Sequence, residues 1–186
     1  MRFHTPLLLA LTALTQATPL LTDLIKRDGA AVIDAVNTIS ESLITLNNTV
    51  TSYRGGILGT VTALKIEFQS IALSNDLRAA IRTTTSSADF TEDESMLVSA
   101  AFIDLQPNIF TTLDNIVLKK PQFDNGLLGI GSLAFLVRSN LESQKDLAGQ
   151  LGEAVTDKLT ATFAVIAPLL NAQIAAKFDE ALAAYE

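Results

Sequence analysis

From Val32 onward apolar residues return at Val36, Ile39, Leu43, Leu46, Val50 and Tyr53, at steps that alternate between four and three. This a/d stripe over three heptads marks a long helix that packs one face on other helices. Asp28 is its expected N-cap and Gly55-Gly56 its stop. A second helix is predicted from Ile57 or Leu58 through Val61, Leu64, Phe68, Ile71, Leu77 and Ile81 to the polar run at 83–88. The third opens on Thr91-Glu92-Asp93-Glu94, where Thr91 and Glu94 have the spacing of a capping box and the acids suit a helix N-terminus. It continues through Val98, Phe102, Leu105, Ile109, Leu113 and Ile116 until Lys119-Lys120-Pro121 closes it. A fourth helix is expected over Gly126 to Leu151. A fifth is expected from Glu153 to Tyr185 through Val155, Leu159, Phe163, Ile166, Leu170, Ile174, Phe178 and Leu182. Pro107 and Pro168 should kink the third and fifth helices. No stretch alternates with period two for long enough to make a strand. The expected fold is therefore all-α, an antiparallel bundle of five long helices with short links.

One stretch disturbs this pattern. Phe123-Asp-Asn-Gly-Leu-Leu-Gly-Ile-Gly-Ser132 places Gly126, Gly129 and Gly131 in an apolar run, and each glycine inside a helix costs roughly 0.5–1 kcal/mol relative to alanine. The order G-x-x-G-x-G follows no strand and precedes no Lys-Ser or Lys-Thr, so it is not a phosphate loop. Two readings remain. In one, Gly126 lies in a lead-in loop while Gly129 and Gly131 let a neighbouring helix approach closely. In the other, the missing side chains leave internal space beside Phe123, Leu127, Leu128, Ile130 and Phe135, a dry cavity that is costly unless something apolar fills it.

Composition narrows the chemistry. Met1-Arg2, an apolar run to Leu14 and a small-residue exit at 15–17 describe a secretory signal peptide over residues 1–17. The dibasic pair Lys26-Arg27 marks 18–27 as a short propeptide, leaving a single domain from Asp28 to Glu186. No other apolar stretch is expected to span a membrane, because Pro168 and scattered polar residues interrupt the candidates. Cysteine is absent and the only histidine, His4, lies in the leader, which excludes thiol nucleophiles, histidine bases and the usual zinc ligands. With 13 basic against 20 acidic residues the chain offers no basic surface for nucleic acid. Neither S-x-x-K nor G-x-S-x-G occurs and the acidic clusters have structural explanations, so neither enzyme chemistry nor a cofactor is expected. The core is rich in phenylalanine, nine against two tyrosines and no tryptophan. Asn47-Asn48-Thr49 is an N-glycosylation sequon, with Asn47 beside the first stripe rather than on it.

The dibasic site and first helix "KRDGAAVIDAVNTISESLITLNNTV", the middle stretch "TEDESMLVSAAFIDLQPNIFTTLDNIVLKKPQF" and the Ala-rich last helix resemble the fungal cell-wall mannoprotein family, also called the hydrophobic surface-binding protein A family. The resemblance covers nearly all of the chain after the leader. It implies a helical bundle that holds a long-chain fatty acid or similar lipid in an internal apolar cavity, between the third, fourth and fifth helices. The expected chain contacts are Phe68, Phe102, Phe110, Leu113 and Phe123, then Leu127, Leu128, Gly131, Ser132 and Phe135 after the third helix. Phe163, Ile166 and Leu170 complete them from the last helix. Ser132, Gln69, Thr162 and Gln173 are candidate partners of a head group. The alternative that the resemblance carries is an interface-active adaptor that adsorbs to hydrophobic surfaces and recruits secreted hydrolases. Larger members carry repeated domains and a Ser/Thr-rich anchored tail; here one copy and no such tail are seen, so the expected location is secreted or cell-wall associated.

Overall fold

The computed structural model describes residues 18–126 and 131–186, with side chains from Asp28 onward. The expected leader at 1–17, Leu127 and Leu128 lie outside the described residues, as do Gly129 and Ile130. Seven helices follow in order: α1 Thr18–Ser52, α2 Gly56–Ser86, α3 Glu92–Leu118, α4 Lys120–Asp124, α5 Ala134–Thr156, α6 Ala161–Ala164 and α7 Ala167–Ala184. Five are long and run alternately up and down in chain order. In space they close a ring, α1 beside α2, then α5, α7, α3 and back to α1. Five members cannot alternate all round a ring, so at least one neighbouring pair must be parallel. Three are. Asn108 and Asn115 of α3 bond Ser40 and Asn47 of α1, Asn140 and Gln144 of α5 bond Glu67 and Ser70 of α2, and Gln106 and Ile116 of α3 meet Gln173 and Tyr185 at the α7 side, each in rising order.

The first stripe packs as its spacing predicts: Val32, Val36, Ile39, Leu43, Leu46, Val50 and Tyr53 are all buried. Tyr53 stacks on Phe123 at 4.7 Å, which in turn meets Tyr185 edge-on at 6.4 Å. Asp28, however, is not an N-cap. It sits inside α1, and its Oδ2 accepts the Ala88 amide at 3.1 Å, holding the α2–α3 link instead. Gly55 ends the α1–α2 turn at φ +70°, and a Cβ there would come within 2.7 Å of the Gln122 carbonyl oxygen. The capping box of α3 forms in full: the Thr91 hydroxyl accepts the Glu94 amide at 3.3 Å, and Glu94 Oε2 accepts the Thr91 amide at 3.0 Å. Helix α3 runs continuously through Pro107.

Three expectations need correction. Gly131 precedes α5, which starts at Ala134, rather than lying within it, so that helix does not bear the cost of this glycine. At Gly126 a Cβ would come within 2.6 Å of both Leu133 Cδ1 and Tyr53 Oη, so that glycine permits close packing at a turn. The expected break between the fourth and fifth helices at Gly152 does not occur; α5 continues to Thr156. The chain breaks over 157–166 instead, through the single turn of α6, and Pro168 lies in the first turn of α7, where its missing N–H is tolerated. The third correction concerns α2. Its expected core stripe turns outward as far as Ile71, with Val61 78% and Phe68 70% exposed and Leu64 also at the surface, while Leu77, expected on that stripe, is buried and Ile81 half-buried. The buried face is instead Gly59, Ile66, Ser70, Leu73, Leu77, Ala80 and Thr84.

By length and composition alone, α2 and the run Ala161–Ala184 are apolar enough to cross a bilayer, with mean hydropathy of 1.2 and 1.3. The expectation of no such stretch after the leader is therefore not met by length and composition. In the fold both segments pack against α5.

Candidate functional site

The ring leaves space along its axis, but little of it at the centre. All five long helices contribute to an axial cavity of about 50 Å³, where Ile39, Leu43, Leu73, Leu77, Leu105 and Phe178 converge. A second cavity of about 30 Å³ lies toward the α4 end beside Phe123 and Leu133. Ile116 and Gln144 border both. Spaces this small hold a few waters at most, so neither admits an acyl chain as it stands.

The room is at the opposite end, where the break after α5 prevents α7 from closing against α3. An apolar groove of about 310 Å³ opens there between α3, the end of α5, α6 and the start of α7. Its volume falls at the lower end of small-molecule sites, which run from roughly 300 to 1,000 Å³. Met96, Ala100 and Ile103 form one wall, Val155 and Leu159 the floor, and Phe163, Ile166 and Leu170 the other wall. Ile166, which lines the groove, keeps much of its apolar surface exposed, as do Val165 and Leu169 on the same stretch of chain, Val165 at 80%. Two links hold this end in register: the Thr160 amide donates to Ser95 Oγ at 3.0 Å, and the Phe90 amide donates to the Lys158 carbonyl at 2.8 Å.

Phe102, Gly152 and Asn171 border both the groove and the axial cavity. Gly152 is what lets Asn171 occupy this junction, because a Cβ on it would come within 2.6 Å of Asn171 Cγ. The groove, the axial cavity and the smaller cavity thus lie in sequence along the bundle, pinched at Phe102–Asn171 and again at Ile116–Gln144. Inside the pinched core polar groups are mostly paired: Thr112 Oγ1 donates to the Asn108 carbonyl at 2.7 Å and Gln144 Nε2 to the Ser70 carbonyl at 3.4 Å.

Of the residues expected to touch a lipid, Phe102, Phe163, Ile166 and Leu170 meet in the groove. Leu113 borders the axial cavity and Phe123 the smaller one. Phe110 packs on the core and borders none of the three. Phe68 and Phe135, each 70% exposed, point away from all of them; the core of α2 is its opposite face, and α5 begins after the glycine stretch rather than within it. Gly131 and Ser132 lie in the link before α5, where Ser132 Oγ accepts the Ala134 amide at 3.0 Å. Among the head-group candidates, Gln173 Oε1 accepts from Gln106 at 2.8 Å, Thr162 is exposed, and Gln69 and Ser132 border none of the three spaces. Asn47 is half-buried against α3, its Oδ1 accepting from Asn115 Nδ2 at 2.8 Å. The polar residues that do border the groove, Ser99 and Asn171, went unnoticed. The signal for Asn171 was available: it is the single polar residue in the run Phe163–Ala172.

The sequence model of hydrophobic surface binding protein A matches residues 29–157. The chain belongs to that family. Over its full 186 residues it is 26% identical to cell wall mannoprotein 1 of Aspergillus flavus, of which it spans 63%. A crystal structure of Afmp4p in complex with palmitic acid is similar at a TM-score of 0.78 and 27% identity, covering 85% of this chain and 99% of that one. The first ligand-binding domain of the Penicillium marneffei MP1 protein, complexed with arachidonic acids, shares the fold at a TM-score of 0.73 and 19% identity, covering 82% of this chain and 95% of that one. In this member of the hydrophobic surface binding protein A family the match ends at α5, so α6, α7 and one whole wall of the groove lie beyond it.

Proposed function

We propose that the protein is a secreted, single-domain binding protein that holds the hydrocarbon chain of a long-chain lipid, and that it performs no catalysis. The observation that carries this reading is the apolar groove between α3 and α6–α7, aligned with the axial cavity of the ring. Its likeness to Afmp4p, a palmitic acid complex, supports the same ligand class. The energetics allow it: burying about fifteen methylenes at roughly 0.8 kcal/mol each yields on the order of 12 kcal/mol gross, against an association cost of about 4–15 kcal/mol. The groove takes part of the chain, and the rest enters the axis as Phe102 and Leu105 adopt other rotamers. Extraction of the purified protein into organic solvent, followed by mass spectrometry, should yield lipid in a fixed ratio to protein. Leu170→Trp, which fills the groove from α7, should abolish it. Lipid-free protein that also fails to bind an added fluorescent fatty acid would refute the proposal.

A second reading rests on a separate observation, the outward stripe of α2. Ile57, Val61, Leu64, Phe68 and Ile71 form an exposed apolar face that borders none of the three spaces, suited to a flat non-polar surface rather than to an enclosed ligand. Adsorption to octyl-coated beads should therefore survive Leu170→Trp and be lost in a Val61→Ser, Phe68→Ser double variant. Recruitment of secreted hydrolases to such a surface, and residence in the cell wall, belong to this reading.

A further inference from the structure

Helices α1 and α3 are parallel neighbours, and Glu94 in the first turn of α3 reaches across to α1. Its Oε2 caps α3 by accepting the Thr91 amide at 3.0 Å, whereas its Oε1 packs against Gly29 of α1, where a Cβ would come within 3.1 Å of it. That second oxygen is buried without a hydrogen-bond partner, and Glu94 as a whole is 7% exposed. Among the described residues no lysine or arginine pairs with it. Glu92 and Asp93 on the same turn are exposed and meet water instead. A buried carboxylate oxygen without a donor is costly, so the contact calls for a donor from the α1 side. The continuous α1 supplies none, because each amide inside it is directed at a carbonyl one turn back.

Lys26-Arg27 lies immediately before this contact. We propose that a secretory endoprotease specific for dibasic sites hydrolyses the Arg27–Asp28 peptide bond, and that the Asp28 α-ammonium group so released pairs with Glu94 Oε1, tying the start of α1 to the start of α3. Water adds across the amide: Arg27 leaves with the new carboxylate, and the nitrogen that stays on Asp28 takes up a proton. That nitrogen belongs to the residue next to Gly29 and, freed from the helix, turns about the Asp28 backbone toward Glu94. Asp28 itself is held in place, because its Oδ2 accepts the Ala88 amide at 3.1 Å. A cation at a helix N-terminus is disfavoured by the dipole, and here two such ends lie side by side, so an anion between them is what the cut chain requires. Gly29 is the companion feature, since a side chain there would push Glu94 away. The pairing is independent of what the groove holds.

The test secretes the full chain from a yeast strain that has its dibasic-specific protease and from one that lacks it, which gives cut and uncut protein of one sequence. Intact mass should place the N-terminus of the first at Asp28. Glu94→Gln keeps an oxygen that can cap α3 but removes the charge. It should lower the folding equilibrium constant of the cut chain about tenfold more than that of the uncut chain, the scale of a hydrogen bond to a charged group; urea denaturation reads both. In the cut chain the α-amine should be acylated at pH 7.5 about tenfold more slowly than in its Glu94→Gln counterpart, as peptide mapping records, because pairing favours the protonated amine, which is not a nucleophile. Gly29→Ala, which displaces the Glu94 side chain, should speed acylation in the same way and decides the matter if Glu94→Gln does not fold. An N-terminus other than Asp28 overturns the proposal. So does an equal loss from Glu94→Gln in cut and uncut chains, or an α-amine whose acylation rate responds to neither variant.

Discussion

Helices α1 and α2 carry nearly the same apolar rhythm, yet α1 buries its stripe from Val32 to Tyr53 while α2 exposes the stripe from Ile57 to Ile71 and buries another that includes Ile66, Leu73 and Leu77. Among the described side chains of α1 the stripe from Val32 to Tyr53 is the continuous apolar face, so burying it fixes the helix orientation. Helix α2 has two stripes of the same four-three spacing. The outer one, at Ile57, Val61, Leu64, Phe68 and Ile71, is large; the inner one, at Gly59, Ala63, Ile66, Ser70, Leu73, Leu77, Ala80 and Thr84, is mostly small. They are offset by two residues, about 200° at roughly 100° per residue, and therefore lie on opposite faces. The inner stripe wins the core because small side chains let α2 lie close to α1, as where a Cβ on Gly59 would already come within 3.0 Å of Tyr53 Cε2. Side-chain size ranked the faces wrongly; fit between neighbours decided.

The comparison can be broken most forcefully on α1. Leu46→Ala should destabilise the fold by about 2–5 kcal/mol, the usual range for a buried leucine, whereas Phe68→Ala on α2 should stay within about 0.5 kcal/mol; urea midpoints measure both. Near equality of the two would mean that α2 buries its outer stripe after all. A change on the inner stripe comes next. Ala80 is fully buried, and Ala80→Leu should cost about 1–3 kcal/mol through overpacking, with the loss read from the same denaturation curves. On the outer stripe, the Val61→Ser, Phe68→Ser pair should leave the urea midpoint in place while bead adsorption falls, which separates what α2 does for the fold from what its outer face does.

The smallest effect appears only in alkali. Burial raises the Tyr53 hydroxyl above its ordinary value; burial, followed by the nearby Asp124 and Tyr53, raises that of Tyr185 further. The unfolded chain therefore releases these protons first, at about pH 10. Their contribution is complete below that pH and is lost as pH rises from there toward the folded values. Tyr185→Phe loses the 2.7 Å bond that Tyr185 Oη donates to the Ile116 carbonyl and is less stable throughout. Its further loss between pH 9 and 11 should nonetheless be smaller than that of the unaltered chain, as denaturation midpoints across this range would record.

Most of the bundle was legible because it obeys local rules. The α1 stripe, the Gly55-Gly56 stop, the Thr91 capping box and the Lys-Lys-Pro end of α3 each rest on residues within a turn of one another. What escaped depends on partners far along the chain. Gly152 looks like a helix stop until Asn171, nineteen positions on, is seen to occupy the space of its missing Cβ. The groove itself follows from the break over 157–166, which leaves α3 and α7 unable to close. From the spacing alone the same residues read as one long helix bent at Pro168. Phe102, Phe163, Ile166 and Leu170, expected as lipid contacts, border one groove, whereas Phe68 and Phe135, expected beside them, face outward.

The account's central claim is that hydrocarbon is enclosed at the α3–α7 end while α2 meets apolar surface only from outside. Photolabelling with a lipid that carries a diazirine at mid-chain, followed by peptide mapping, addresses it directly. The account predicts label on peptides spanning 96–103 and 159–171, lost in Leu170→Trp. Label confined to 57–71, and indifferent to Leu170→Trp, would contradict it.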